Sequence, residues 1–416
     1  MKIRVQSQPV HVPGFRFAGV HCGLKQSGAR DVALICSDVP AAAAAAFTTN
    51  RVKAAPVLVG LERLPKGRLQ AIVINSGNAN AYTGDDGLAV ARAMCATVGH
   101  ALRIDPELII PSSTGRIGVP MPRARIARGI RAACAALSPG GFHEALEGIM
   151  TTDAFPKYAI ATLAIGGQRV TLAGMAKGAG MIAPRMALVG GPKGAVPAGH
   201  ATMLAYFLTD AAASAPALRR ALALALPQSF NAAIVDGDTS TNDTVVLMAN
   251  GLAQNPRLTP GARAFPAFAH AVAAMMTRLA RMVVKDGEGA TKVIDIVVRG
   301  ARTARDAARV ADTIARSPLC KAAFFGGDPY AGRVVCAAGY SGATFDPGQL
   351  DVYLDDVQVV RRGREIVGQV ERRAAAVTRR AEFTLTLDLH AGHGEAFRMA
   401  ADLTVDYVRF NSAYRT

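Results

Sequence analysis

A threonine in a distinctive setting follows a small residue at the Ala201-Thr202 step. A glycine-rich segment, MAKGAGMIAP (175–184), lies before it, and the apolar run ATMLAYFLTDA (201–211) contains it. This setting suits a threonine that attacks its own preceding peptide bond and then acts as an N-terminal nucleophile. The new α-amine, with an unperturbed pKa of about 7.7–8.0, would serve as the base for the hydroxyl. An isolated Ala-Thr step is more often the start of a helix, so the assignment of Thr202 as a nucleophile depends on the rest of the sequence.

Hydroxyl-rich turns elsewhere in the chain supply groups that such a nucleophile needs. PSSTGRIG (111–118) follows a predicted strand, so its turn can aim a side-chain O–H and a backbone N–H at one point. An oxyanion hole requires this arrangement, and Thr114 and Gly115 are the natural donors. A second turn, TTDAFPK, adds the hydroxyls of Thr151 and Thr152 at the end of a predicted helix.

Two charged residues are candidates for holding a small substrate. Lys177 precedes the glycines of MAKGAG and is suited to binding a substrate carboxylate by its charge. Glu288 lies in the glycine-bracketed turn of KDGEGATK, where a carboxylate can receive a substrate ammonium or shuttle a proton. No carboxylate side chain occurs between Asp153 and Asp210, so the segment ahead of Thr202 does not repel an anionic substrate.

Other kinds of site are disfavoured by the same spacing arguments. KGAGMIA loosely matches a dinucleotide-binding G-x-G-x-x-A pattern, but no acidic residue follows about 20 positions later. VDGDTSTNDT lacks the central glycine and the final glutamate of a calcium loop, so its Asp and Thr side chains are expected to hydrogen-bond a turn. The six cysteines form no C-x-x-C pair and the eight histidines no H-x-x-x-H pair, so we expect no metal site.

The elements that must position these groups mix strands and helices without a regular βαβ rhythm. This mixture favours an α+β fold, with a layered α/β/β/α arrangement as the best fit. The predicted strands are 33–40, 69–77, 107–115, 169–176, 291–298, 333–338, 351–361 and 382–389. The predicted helices are 86–102, 122–137, one or two within 203–226, 259–283 and 302–316.

Composition narrows the class of protein further. The chain has 416 residues, of which 50% are hydrophobic, and a formal net charge of +16. Such a charge can attract nucleic acid or small anionic substrates. The densest basic run, within 361–380, has no interleaved aromatic residues, so a solvated face is favoured over a nucleic-acid site. The N-terminus lacks an apolar signal region, and no uncharged apolar run reaches about 18 residues. We therefore expect no membrane partner and a cytoplasmic location.

Taken together, long strings along the chain resemble the ornithine acetyltransferases, also called arginine-biosynthesis bifunctional glutamate N-acetyltransferases. The resemblance covers essentially the whole chain, and two of its strings are long and specific. The strings include INSGNANAYTGDDG (74–87), PSSTGRIG (111–118), MTTDAFPK (150–157), MAKGAGMIAP (175–184), ATMLAYFLTDA (201–211), VDGDTSTNDT (235–244), DGEGATK (286–292) and DLTVDYVRFNSAYRT (402–416).

The resemblance implies an α/β/β/α sandwich that cuts itself between Ala201 and Thr202, giving an α chain (1–201) and a β chain (202–416). Thr202 would take the acetyl group from N-acetylornithine, and glutamate would then accept it in a ping-pong cycle. By motif match, Thr114 and Gly115 would form the oxyanion hole. The substrate contacts that the resemblance implies are Thr151 or Thr152, Lys177, Thr202, Glu288, Asn411 and Thr416.

The same resemblance implies an α2β2 assembly of the two chains, with no metal and no cofactor. Some members of the family also accept acetyl-CoA as the acetyl donor, and no motif in this sequence shows whether this chain does so. An insertion, RMALVGGPKGAVPAGH (185–200), separates GMIAP from ATML, two strings that are almost adjacent in the family. Two alternatives stay open: a self-processing aminopeptidase or amidohydrolase and, because of the insertion, an unprocessed inactive homologue.

Overall fold

The computed structural model describes residues 2–4, 10–190, 203–329 and 331–413. The chain divides into two compact units. The described residues of unit 1 fall within 1–231 and 238–283, and those of unit 2 within 232–237 and 284–413. These units differ from the predicted α and β chains, because residues 203–231 belong to unit 1. The predicted division into α and β chains concerns where the peptide chain is cut, and the two compact units do not test it.

The described elements alternate between strands and helices along the whole chain. The strands are β1 (Lys2–Arg4), β2 (Phe15–Val20), β3 (Val32–Thr48), β4 (Arg68–Asn78), β5 (Ile109–Arg116), β6 (Lys157–Ile165), β7 (Gln168–Lys177), β8 (Met186–Leu188), β9 (Leu204–Thr209), β10 (Ala233–Ile234), β11 (Thr244–Ala249), β12 (Val293–Ala301), β13 (Asp351–Leu354), β14 (Val357–Arg361), β15 (Arg364–Glu365), β16 (Glu382–Asp388) and β17 (Gly394–Ala401). The helices are α1 (Ala55–Arg63), α2 (Gly84–Leu102), α3 (Arg123–Ala135), α4 (Phe142–Ile149), α5 (Ala215–Ala225), α6 (Phe265–Lys285), α7 (Ala304–Arg316), α8 (Pro318–Gly326), α9 (Gly332–Gly339), α10 (Gln369–Thr378) and α11 (Val405–Ala413).

The long strand β3 takes part in both halves of the unit 1 sheet. Its first residues pair with β2 and β4, and its alanine-rich second half pairs with β11. The register shifts between Cys36 and Ala41, where Pro40 cannot donate a hydrogen bond to the ladder. The predicted strand at 33–40 is therefore too short, because the strand continues beyond the proline as far as Thr48.

The unit 1 sheet folds back on itself to make two layers. Its strands follow the order β1-β6-β7-β9-β11-β3-β4-β5. In a flat sheet, β7 and β5 would lie five strand spacings, or about 24 Å, apart. Lys177 on β7 nevertheless lies 3.2 Å from Thr114 on β5, so the two ends of the sheet face each other. Apolar side chains fill the space between the layers, among them Ile72, Ile74, Ile110, Met175, Tyr206 and Met248.

Helices cover the outer faces of the two layers. On one side, Val90 of α2 and Ile126 of α3 join a core cluster with Val73 of β4. On the other, Leu279 of α6 lies against β7, where Gly174 leaves room for it. The predicted α/β/β/α arrangement is therefore confirmed for unit 1.

Unit 2 is built on a seven-stranded sheet in the order β10-β17-β12-β16-β13-β14-β15. Helix α7 packs against β12 and β17, and α10 packs against β14. Side-chain caps begin the helices here, since the hydroxyls of Thr303 and Ser317 accept the backbone N–H groups of the first turns of α7 and α8. The arginines of the basic run at 361–380 are exposed, as expected for a solvated face.

Two secondary-structure predictions are wrong. Leu204–Thr209, which we assigned to a helix, is strand β9, and every residue in it is buried between β7 and β11. A short, fully buried apolar run has no periodicity that separates a strand from a helix. The predicted strand at 333–338 is helix α9, whose buried residues Val334, Ala337 and Ala338 follow helical spacing.

Among the described residues, α6 is the one helix that is long and apolar enough to cross a membrane by length and composition. Its most apolar window has a mean hydropathy of 1.3, and more than half of that window is buried. The core helix of a water-soluble protein meets the same criterion, and α6 packs against the sheet of unit 1 in that way.

Unit 2 contains a buried lysine. Lys321 on α8 is 2% exposed, and its Nζ donates to the carbonyl of Ala401. Burial lowers the pKa of Lys321 to about 8, although the carboxylates of Asp236 and Asp402 favour the charged form. In the unfolded chain this pKa is about 10.4.

We predict that Lys321 makes the stability of the protein rise with pH above 8. Between the folded and unfolded pKa values, the unfolded chain holds a proton that the folded protein lacks, so raising the pH favours the folded state. Urea unfolding at pH 7.5, 8.5 and 9.5 should show wild type gaining stability relative to Lys321→Met, by up to about tenfold in the unfolding equilibrium per pH unit. Lys285→Met, at a lysine that is 64% exposed, should show no such trend, and a pH-independent difference for Lys321→Met would contradict the prediction.

Candidate active site

The end of β5 presents the two predicted oxyanion donors. Thr114 is 1% exposed, and it faces the interior between the two layers of unit 1. Gly115 has a φ of 126°, and a Cβ built on it would lie 2.4 Å from the carbonyl carbon of Gly77. Only glycine combines this backbone angle with such a close approach. The backbone of this turn is therefore held against β4, next to the Thr114 hydroxyl.

The two long motifs of the sequence brace this turn. Ser113 donates its hydroxyl to Asn75 Oδ1 at 2.6 Å, and Asn75 Nδ2 donates to the carbonyl of Asn78 at 2.8 Å. Asn242 Nδ2 donates to the carbonyls of Ser113, at 2.8 Å, and Ala79, at 2.7 Å. INSGNANA and VDGDTSTNDT therefore contribute buried amide side chains that hold the end of β5, rather than a calcium loop.

Lys177 ends β7 and faces Thr114 across the interior. Its side chain is nearly fully buried, and Nζ donates to Thr151 Oγ1 at 2.8 Å and to Thr114 Oγ1 at 3.2 Å. Three of the predicted site residues are thus brought together from β5, β7 and the turn after α4. Thr151 and Thr152 are both half-buried, and the contact with Lys177 favours Thr151 as the substrate-binding threonine.

A buried ion pair lies beside Lys177, and sequence reasoning missed it. The side chains of Asp153 and Lys157 are both 0% exposed, with Nζ 2.7 Å from Oδ1. Oδ1 also accepts the N–H of Gly178 at 2.7 Å, and Oδ2 accepts the N–H of Thr151 at 2.9 Å. The sequence pattern of TTDAFPK draws attention to its hydroxyls, and the one signal for Asp153 is that it is the last carboxylate before a long acid-free stretch.

Charge explains the protonation state of this aspartate. Burial raises the pKa of Asp153, but the ammonium groups of Lys177 and Lys157 outweigh it and hold the pKa well below its usual range. Asp153 is therefore a carboxylate at neutral pH. Two lysines and one aspartate give this cluster a formal charge of +1, which suits an anionic ligand.

The strand that follows Thr202 begins next to Lys177. Leu204 pairs with Lys177 in the ladder between β7 and β9. Met203 is held by both of its backbone groups, since its N–H donates to Asp243 Oδ1 at 2.8 Å and its carbonyl accepts the N–H of Thr244 at 3.1 Å. Ala201 and Thr202 themselves lie outside the described residues, so the predicted nucleophile and cleavage site stay predictions.

Two of the remaining site residues meet in unit 2. Asn411 Nδ2 donates to Glu288 Oε2 at 3.1 Å, and Glu288 is 9% exposed. A further contact joins the same two segments, because the Thr404 hydroxyl donates to the carbonyl of Gly289 at 2.7 Å. Thr416 lies outside the described residues. Within the described part of the chain, no group of three or more His, Cys, Asp or Glu could hold a metal ion.

Comparison with known proteins places the chain in a family. A model of the ArgJ family matches residues 16–416. The chain is 52% identical over 405 residues to the arginine biosynthesis bifunctional protein ArgJ of Symbiobacterium thermophilum, covering 97% of each chain. It is 46% identical over 407 residues to the protein of the same name from Geobacter sulfurreducens, covering 98% of this chain and 100% of that protein.

A solved structure of an ornithine acetyltransferase from Mycobacterium tuberculosis, complexed with ornithine, is 41% identical. It matches with a TM-score of 0.42 over 45% of this chain and 100% of that chain. The family match over nearly the full length, and the high identity to full-length relatives, agree with the resemblance seen in the sequence motifs. The chain therefore belongs to the ArgJ family.

Proposed function

We propose that this enzyme transfers the acetyl group of N-acetylornithine to glutamate, giving ornithine and N-acetylglutamate in arginine biosynthesis. The observation that carries the proposal is the buried Lys177 ammonium on the hydroxyls of Thr114 and Thr151, beside the strand that follows Thr202. The names of the relatives, and the ornithine bound to one related acetyltransferase, support the same reaction.

In the first half-reaction, Thr202 Oγ attacks the acetyl carbonyl carbon of N-acetylornithine while the α-amine of Thr202 takes the hydroxyl proton. The negative charge that forms on the carbonyl oxygen is stabilised by the Thr114 hydroxyl and the Gly115 N–H. The C–N bond then breaks, and the amine of ornithine leaves with the proton. An acetyl ester on Thr202 remains.

In the second half-reaction, the amine of glutamate attacks the ester carbonyl carbon. The same oxyanion donors act again, and the amine of glutamate loses its proton as the Thr202 oxygen leaves and regains one. Splitting one amide exchange into two acyl transfers lowers each barrier. Water in place of glutamate would release free acetate, which is how the alternative hydrolase activity would differ.

Charge and hydrogen bonding support the assignment of substrate contacts. The Lys177 ammonium is suited to a substrate carboxylate. The hydroxyl of Thr151 contacts that ammonium, so it lies close to where the substrate carboxylate would bind. The Glu288 carboxylate, already paired with Asn411, is suited to a substrate ammonium. Thr416 completes the set of substrate contacts that the family resemblance implies. Whether acetyl-CoA also serves as an acetyl donor is left to the experiment below.

The proposal includes self-cleavage, an α2β2 assembly, and catalysis without a metal or other cofactor. Family membership supports the first two, and a nucleophile that carries its own amine base needs no metal. It also includes a reducing, cytoplasmic setting, which the free thiols of all six cysteines support.

The experiment that tests the function measures ornithine release from N-acetylornithine with and without glutamate, and in parallel with acetyl-CoA as donor. We expect release of ornithine to depend on glutamate and N-acetylglutamate to form in equal amount. Free acetate without N-acetylglutamate would identify a hydrolase instead. Formation of N-acetylglutamate from acetyl-CoA and glutamate would show that both donors are used.

We predict that the purified protein consists of two chains, produced by cleavage of the peptide bond between Ala201 and Thr202. Intact-mass measurement should find fragments that end at Ala201 and begin at Thr202. Thr202→Ala should remain one chain, because it lacks the attacking hydroxyl, whereas Thr202→Ser should still be cut. Thr97→Ala, a threonine on α2, should be processed like wild type. A full-length wild-type chain would refute self-cleavage.

We predict that Lys177→Met raises KM for glutamate at least about tenfold, because a charge-assisted hydrogen bond is worth roughly 1.5–3 kcal/mol. Steady-state kinetics on the processed protein check this, with Lys285→Met as the control for loss of an exposed lysine. An unchanged KM and kcat in Lys177→Met would remove Lys177 from the site. Circular dichroism confirms that each variant is folded.

A further inference from the structure

We propose that Asp153, with its charge balanced by Lys157, is a positioning residue for acyl transfer. It holds the two segments that flank the Lys177 ammonium, and that ammonium in turn makes the Thr114 hydroxyl a hydrogen-bond donor to the reacting carbonyl. The proposal rests on the proposed function, which it extends from the residues that touch substrate to the pair that supports them.

Asp153 accepts hydrogen bonds from two chain segments that lie next to Lys177. One carboxylate oxygen accepts the N–H of Gly178, the residue that directly follows Lys177, at 2.7 Å. The other accepts the N–H of Thr151, at 2.9 Å, and the Thr151 hydroxyl accepts from Lys177 Nζ at 2.8 Å. A single carboxylate therefore links the backbone next to Lys177 to the backbone of Thr151, whose hydroxyl oxygen accepts from the Lys177 ammonium.

Lys157 allows this carboxylate to be buried. Its Nζ lies 2.7 Å from Asp153 Oδ1, and neither side chain has any exposed surface. A buried carboxylate is tolerated only with a partner charge and hydrogen bonds, and Asp153 has both. The ammonium groups of Lys177 and Lys157 keep the pKa of Asp153 well below its usual range, so the arrangement persists at neutral pH.

The direction of the hydrogen bond at Thr114 follows from the chemistry of its partner. An ammonium group has three N–H donors and no acceptor, so Lys177 Nζ donates and Thr114 Oγ1 accepts, at 3.2 Å. The hydroxyl hydrogen of Thr114 must then point to a different atom. A hydroxyl oriented in this way is prepared to donate to an oxyanion, and preorganised donors are the ones that lower a barrier.

The test is a double-mutant cycle that joins Asp153→Asn with Thr114→Val. If Asp153 acts through Thr114, Asp153→Asn should lower kcat by about 10- to 100-fold in the wild-type background, as displacement of catalytic groups does. In the Thr114→Val background it should change kcat less than about twofold, because the donor is already absent. Turnover is normalised to the processed fraction, and where a variant is cut too slowly to give processed protein, the same cycle is read on the rate of self-cleavage.

Two further variants separate positioning from folding. Asp153→Asn/Lys157→Met removes both members of the ion pair, so Lys157 is not left as a buried ammonium without its carboxylate if the single variant fails to fold. This double variant should show the same dependence on Thr114. Asp312→Asn removes the carboxylate that Arg398 contacts in unit 2, and it should leave kcat unchanged. Loss of thermal stability without the coupling to Thr114 would show a purely structural ion pair and overturn the proposal.

The outcomes also separate this proposal from the proposed function. Normal kcat in a folded Asp153→Asn protein, or an equal loss in both Thr114 backgrounds, overturns the positioning role while acetyl transfer stands. If wild type transfers no acetyl group, the proposed function fails, and amide hydrogen exchange at Thr151 and Gly178 decides the positioning role. Faster exchange at both amides in Asp153→Asn would show that Asp153 holds these two segments in place, and unchanged exchange overturns the proposal.

Discussion

A buried ammonium group is the constraint around which unit 1 is arranged. Lys177 is 2% exposed, so its charge must be met by oxygens inside the protein. Those oxygens come from Thr114 on β5 and Thr151 after α4. Asp153, paired with Lys157, accepts the backbone N–H groups of Thr151 and of Gly178, which follows Lys177. The folded-back sheet makes this possible, because it brings the ends of β5 and β7 together.

Buried amide side chains carry out the supporting work around this ammonium. Asn75 and Asn242 are fully or almost fully buried, and both bond to Ser113 on the strand that presents Thr114. Asp243, from the same motif as Asn242, holds the N–H of Met203. The two most specific sequence strings therefore serve as the frame of the site. The amide groups of Asn75 and Asn242 are tolerated at this depth because they have hydrogen-bond partners.

The insertion ahead of Thr202 begins as part of the sheet. Met186–Leu188 form β8, which pairs with the last three residues of β3. The side chain of Asn231 accepts from the N–H of Met186 and donates to its carbonyl. The Arg185 carbonyl accepts the N–H and the hydroxyl of Thr49. These contacts anchor the first part of the insertion on β3. The added length thus starts from a fixed point in unit 1.

The amino-acid sequence by itself indicated the family, the layered mixture of strands and helices, and the residue types that suit the predicted chemistry. It identified Thr114, Gly115 and Lys177 because their types and turn settings report on local chemistry. It misassigned β9, since a buried strand and a buried helix are equally apolar, and it passed over Asp153, whose role is visible only from its partners. Only the tertiary structure decided that Lys177 meets Thr114, 63 residues away, and Thr151, 26 residues away. Such contacts depend on how the sheet folds over its core, and that packing is set by many distant side chains at once rather than by any local pattern.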